Sequence, residues 1–258
     1  MSCVISDTMT NPIILSPEEQ MLLASQQLKE LYNEYYPFLL EFLRKGNLFN
    51  RQISFPLLIK PFPAYFTSDV RLMIAGQETQ GWSMSKNLPY IKDEINIDRV
   101  HSLLMLYKNV GLGKERQSPF WRFARELNKR FNSSHEAFIW NNISKVDERG
   151  TTPKWDIFHG SSATSSHSII NQEFEILKPN VVVFTTGANH DNCLRAVFKG
   201  IREEPVNEYI SKLTHKLLPK NSYKTEHPLR LSMNRHFNKV IDFISADVKS
   251  SGIIGKSI

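Results

Sequence analysis

The run Val181-Val182-Val183-Phe184-Thr185-Thr186-Gly187 places the tightest limit on what this chain can fold into. Its β-branched residues favour extended backbone over helix. Its first four positions carry no polar group, so the strand they predict must be covered on both faces. Helical patterns flank it, one at 168–178 that ends in Lys178-Pro179-Asn180 and another at roughly 189–199. A buried strand between two helices belongs to a mainly parallel sheet, with helices packed on each side in three α/β/α layers. Two further runs fit the same plan, Val70–Ala75 and Ala137–Trp140, each passing directly into polar residues. Helical spacing recurs at 98–110, 119–131 and 234–248. Ser16-Pro17-Glu18-Glu19 reads as a capped helix start, with Pro37 expected to break that helix or restart it. Residues 53–66 hold three prolines among large apolar side chains and predict a packed, irregular connector. The polar, Ser/Thr-rich segment 147–168 predicts a long loop.

With 258 residues, the chain suits one large domain or two small ones, and no composition shift marks a boundary. We therefore expect residues 1–65, an arm, helix and connector, to pack on an α/β domain over 66–258. Hydrophobic residues at 41% and charged residues at 22% exclude wholesale disorder. No apolar run approaches the roughly 18–20 residues that a membrane span needs. The opening MSCVISDTMTNP lacks both a basic stretch and an apolar stretch of the secretory kind. Two cysteines, Cys3 and Cys193, make neither a disulfide framework nor a four-thiolate zinc site. The simplest expectation is an intracellular, cytoplasmic and nucleoid-associated monomer in a reducing compartment. Thirty-two Lys and Arg against 26 Asp and Glu give +6, a balance that suits a polyanionic partner.

In an open α/β sheet, ligands bind beyond the carboxyl ends of the strands. Polar clusters follow the predicted strands at Gly76–Gly81, Asn141–Asn142 and Thr185–Asn189, and a fourth cluster is the turn His227–Ser232. Each has a plain structural explanation. Glu78 suits a solvated loop or a helix cap, His227 a hydrogen-bonded turn, and the two asparagines a strand end. Trp82 and Phe120 suit the core as well as they suit a binding site. His167, His190 and Asp191 match no strong zinc spacing, and no metal is expected.

Taken in order, the clusters resemble the motifs of the uracil-DNA glycosylase superfamily. Gly76-Gln77-Glu78 is similar to the start of its first motif, G-Q-D-P-Y, and His227-Pro228-Leu229-Arg230-Leu231-Ser232 to its second, H-P-S-P-L-S. Phe138-Ile139-Trp140-Asn141 resembles the strand whose last Asn reads a pyrimidine edge. The resemblance spans roughly 68–245 and implies a central four-stranded, mainly parallel sheet. It implies a DNA glycosylase that flips a pyrimidine nucleotide, hydrolyses its N-glycosidic bond without a cofactor, and leaves an abasic site. In that reading Glu78 supports a cationic sugar or directs water, and His227 donates to the departing base. Gln77, Gln80 and Asn141 hold the base, Leu231 fills the vacated stack, and Arg230, Ser232 and Lys224 face DNA. Lys86, Lys145, Lys224, Arg230 and Arg235 are the candidate phosphate contacts; about four of them would give a log–log salt slope near −3 to −4.

Glu78, Thr79 and Gln80 stand where the family has Asp, Pro and Tyr. Without that Tyr ring against C5, the pocket is expected to admit a 5-substituted pyrimidine as well as uracil. Both repair and the attack of modified foreign DNA suit such a pocket. The alternative from another class is a DNA-binding module that kept the fold and lost the chemistry; a small-molecule hydrolase is a third reading.

Overall fold

The computed structural model describes residues 15–48, 54–77, 98–110, 112, 116–148 and 161–253, with backbone alone at 38–48, 98–99 and 161–168. Four strands form a parallel core: β1 (Leu72–Gly76), β2 (Phe138–Asn142), β3 (Val181–Phe184) and β6 (Asn221–Thr225). Every residue of these four is buried, as parallel strands covered on both faces require. Beside β6 lies an antiparallel hairpin of β4 (Arg202–Asn207) and β5 (Ile210–Thr214). The sheet is therefore mixed and six-stranded, in the order β2-β1-β3-β6-β5-β4, and not four-stranded as expected.

The hairpin closes one edge of the sheet. Glu203, Glu204 and Pro205 sit on β4, whose outer side has no strand partner among the described residues, and a register shift falls between Pro205 and Asn207. Charge, proline and a bulge on an edge strand all discourage further pairing. The Asn207 side-chain oxygen accepts from the amides of Tyr209 and Ile210, each at 3.1 Å, and fixes the turn.

Helices cover both sides. The first group holds α1 (Pro17–Leu48), α2 (Pro63–Phe66), α3 (Asp98–Val110), α5 (Ser161–Leu177) and α6 (Asp191–Val197), with α1 lying along α5. The second holds α4 (Pro119–Lys129), α7 (Pro228–Met233) and α8 (Phe237–Ser250), which pack on one another. Contrary to expectation, α1 runs through Pro37 without interruption. Leu28, Leu31, Tyr32 and Tyr36 are buried just ahead of it in the common core, and that packing holds the helix axis despite one lost backbone bond. Residues 161–168 are the first turns of α5 instead of loop. Once Ile169, Ile170, Phe174 and Leu177 anchor the helix in the core, adding turns at its polar end costs little.

The connector from residue 54 to 65 shares one core with the α/β domain. Ser54 N–H donates to Asp147 O at 2.8 Å and Leu57 N–H to Lys145 O at 2.7 Å. Among the described residues, no helix is long and apolar enough to cross a membrane.

Candidate active site

The carboxyl ends of the four parallel strands meet along one edge of the sheet and are stitched together past the ladders. Ile143 N–H donates to Gly76 O at 3.1 Å, Ser144 N–H to Gln77 O at 2.9 Å and Gly187 N–H to Thr225 O at 3.0 Å. Gln77, half-buried, gives its side-chain amide to Thr186 O at 2.7 Å. That bond bridges β1 and β3, between which the strand order reverses, the usual place for a ligand in such a sheet. Gly187 has φ of 63°, and a Cβ there would stand 3.3 Å from Glu226 Oε2 and 3.7 Å from His227 N. A glycine lets the β3 end approach the His227 turn this closely.

His227 is the N-cap of α7 and Pro228 its first residue. Its Nδ1 accepts from the Leu229 amide at 3.3 Å. An imidazolium has no lone pair at Nδ1, so this cap selects the neutral ring with its hydrogen on Nε2, a donor. Glu226 precedes it, a half-buried carboxylate 3.7 Å from Arg230.

The paired asparagines part company. Successive residues on a strand face opposite ways, and Asn141 turns into the interior. There its Nδ2 donates to Glu173 Oε2 at 3.0 Å, and its Oδ1 accepts from Lys145 Nζ at 2.7 Å and from Asn142 N at 2.8 Å. With both ends committed and 1% of its surface exposed, Asn141 has nothing left to read a base with. Asn142 takes its place at the sheet edge. Its Oδ1 lies 2.6 Å from the point where a Cβ on Gly76 would stand, and the Phe120 ring edge is 3.3 Å from that point. The same oxygen accepts from the indole of Trp140 at 3.3 Å. Asn142 Nδ2 is buried and without a hydrogen-bond partner, and so is Thr186 Oγ1 on the neighbouring strand end. Each such group costs about 1–3 kcal/mol, which a bound polar ligand would recover.

Three other expectations are corrected. Leu231 is 1% exposed and packs in the core, since Pro228 and Leu231, three apart on a helix, share its inner face. The exposed apolar residues of α7 are Leu229 and Met233, at 49% and 74% exposure. Lys145 is enclosed, its ammonium 2.6 Å from Glu173 Oε1. Burial pushes that ammonium below its ordinary range, against the pull of Glu173. Lys224 is held at 2.8 Å by Asp191 and at 2.6 Å by Glu203. Burial opposes its charge, and the two carboxylates outweigh burial and raise it. Both ammonium groups are committed to carboxylates of the protein itself.

Of the DNA-facing set, Arg230 and Arg235 are exposed, and Ser232 Oγ accepts from Arg122 at 2.8 Å. Glu78, Gln80, Thr79, Gly81, Trp82 and Lys86 lie outside the described residues. The signal for Asn142 and Phe120 was present in the sequence, as the second of two strand-end asparagines and the aromatic just inside a proline-started helix. Among the described residues, no three His, Cys, Asp or Glu side chains gather closely enough to hold a metal ion. No protein-family model, curated protein or solved structure matches the chain.

Proposed function

We propose that the chain is a monofunctional DNA glycosylase that extrudes a pyrimidine nucleotide and hydrolyses its N-glycosidic bond, related to the uracil-DNA glycosylase superfamily. The observations that support this reading are the His227 turn that caps α7 and the buried Asn142 amide without a hydrogen-bond partner, both at the carboxyl ends of the parallel strands. The parallel part of the sheet, β2-β1-β3-β6, supports it as the four strands the resemblance implies, with the β4–β5 hairpin as an addition.

In the reaction the C1′–N1 bond breaks and its electron pair passes to the base. Water forms the new C1′–O bond and loses a proton. Negative charge grows on the base, and this reading assigns the His227 ring and the Asn142 amide to meet it. Positive charge grows on the sugar and calls for a carboxylate. Glu78 keeps that role by its place in the first motif, and Glu226 is the carboxylate next to His227. Phe120 offers a ring face for the base, and Leu229 with Met233 replaces Leu231 as the apolar pair that fills the vacated stack.

His227→Ala is expected to slow excision of the preferred base about a hundredfold without unfolding the chain. Alkali-labile sites in uracil-bearing and 5-substituted duplexes, scored beside Glu78→Gln and Glu226→Gln, make the measurement. A wild-type protein that binds these duplexes but makes no abasic site would leave the binding-module reading standing instead.

With Lys145 and Lys224 inside, three candidate phosphate contacts remain: Lys86, Arg230 and Arg235. Three contacts predict a slope of log K against log salt near −2 to −3, shallower than the composition alone suggests. Arg230→Ala should flatten it by about one further unit, as read by fluorescence anisotropy from low to moderate salt.

A further inference from the structure

We propose that the outer face of α4, α7 and α8 docks the phosphate backbone of duplex DNA, with Arg122 on α4 as its anchor. The inference rests on the DNA-binding half of the reading above and adds the surface that carries the duplex.

The two helical layers differ in charge. Over residues 17–37, α1 exposes Glu18, Glu19, Glu30 and Glu34 against Lys29. On the other layer, the acidic residues of α4 and α8 are each paired. Glu126 meets Lys129 at 3.0 Å, Asp242 meets Arg130 at 2.8 Å and Asp247 meets Lys212 at 2.8 Å. Arg122, Arg235, Lys239 and Lys249 are exposed there, and none forms an ion pair among the described residues. Lys239 and Lys249 lie on the same helix, about 15 Å apart along its axis. Cations spread over such a length match a repeating polyanion better than one small anion, and DNA carries a charge about every 1.7 Å of its axis.

Arg122 is held where the three helices meet. Its Nη2 donates to Ser232 Oγ on α7 at 2.8 Å, and its Cζ lies 4.6 Å from the centre of the Phe237 ring on α8. Ring and hydroxyl restrain a long exposed side chain, so less rotamer freedom is left to lose when an anion arrives. A guanidinium has five donors, and Ser232 takes one of them. The rest of the planar fork stays open to phosphate oxygens. Ser232 accepts the Arg122 bond through its oxygen, which leaves its own hydrogen to donate to the same phosphate.

The measurement is fluorescence anisotropy with a short undamaged duplex, from low to moderate salt. Arg122→Gln and Lys239→Gln should each weaken binding about fivefold to tenfold at low salt and flatten the slope of log K against log salt by about one unit. Lys29→Gln removes the same charge from α1 and should leave the slope unchanged. The wild-type slope should be steeper by about two units than the three contacts named above give. Equal losses in all three variants would show a general charge effect and overturn the inference. Poly-glutamate that competes as well as the duplex, charge for charge, would assign the face to an acidic protein and overturn it too. Excision is scored in parallel on the same duplex bearing uracil. Abasic sites made by a protein whose binding is indifferent to Arg122 and Lys239 overturn this inference alone. Binding that follows the two residues without any abasic site overturns the glycosylase reading and leaves the docking face standing. Thermal unfolding checks each variant, and the exposed Lys239 decides should Arg122→Gln fail to fold.

Discussion

Lys145→Met is expected to destabilise the protein by about 3–5 kcal/mol, the usual cost of removing one partner from a buried ion pair. The pair is 1% and 0% exposed, with Nζ 2.6 Å from Glu173 Oε1. Tyr32 OH also donates to that oxygen, at 2.7 Å, and itself accepts from the Ile59 amide at 2.9 Å. Burial, together with the negative charge of Glu173, holds the Tyr32 hydroxyl well above its ordinary range, so it stays a neutral donor to that carboxylate. The loss should appear as a lowered urea midpoint and a Tm decrease of roughly 10 °C. Adding Glu173→Gln to the variant removes the stranded charge while still offering an acceptor to Tyr32, and should recover a large part of the loss. A single variant as stable as the wild type would show that the pair contributes nothing net.

Gly76→Ala is expected to cost about a hundredfold in excision while the fold survives. Gly76 does not have positive φ, so alanine is compatible with its backbone and the whole effect comes from the added methyl. That methyl would land 2.6 Å from Asn142 Oδ1 and 3.3 Å from Phe120, too close for either to stay in place. Overpacking of this kind costs about 1–3 kcal/mol of stability, whereas losing an aligned donor at the reacting base costs about 2.7–4 kcal/mol more in rate. Comparing kcat/KM with thermal unfolding separates the two. Unchanged excision would mean that the Asn142 amide does not meet the base.

Three of the four parallel strands were legible because buried strands between helices leave long apolar runs, and Val181–Phe184 left the clearest; β6, with the sequence Asn-Ser-Tyr-Lys-Thr, carries no such run. The His227-Pro228 start of α7 was legible because a cap and an N1 proline are local chemistry. The β4–β5 hairpin was not, since Glu203, Glu204 and Pro205 on an exposed edge carry no apolar alternation. Strand parity at Asn141-Asn142 was hidden for the opposite reason. Both faces of β2 are buried, so hydrophobicity does not say which asparagine points where. Lys145 and Lys224 counted as surface charge in the composition, and only the fold encloses them with carboxylates. Leu231 was placed by motif alignment alone, although its spacing of three from Pro228 already marked it as inward.

The twin asparagines carry a consequence for folding. A shift of one residue in the pairing of β2 would exchange the two faces of the strand. At one of these two positions the exchange would go almost unnoticed, because the other asparagine would fill it, while the second would receive Trp140 or Ile143. Fidelity must come from the residues whose swap is costly: Trp140, which would leave its aromatic neighbours, and Gly76, whose bare α-carbon admits a side chain only from the strand in its proper place. Alignment errors during refolding should thus yield a species with ordinary secondary structure and displaced tryptophans, visible in fluorescence before it is visible in circular dichroism.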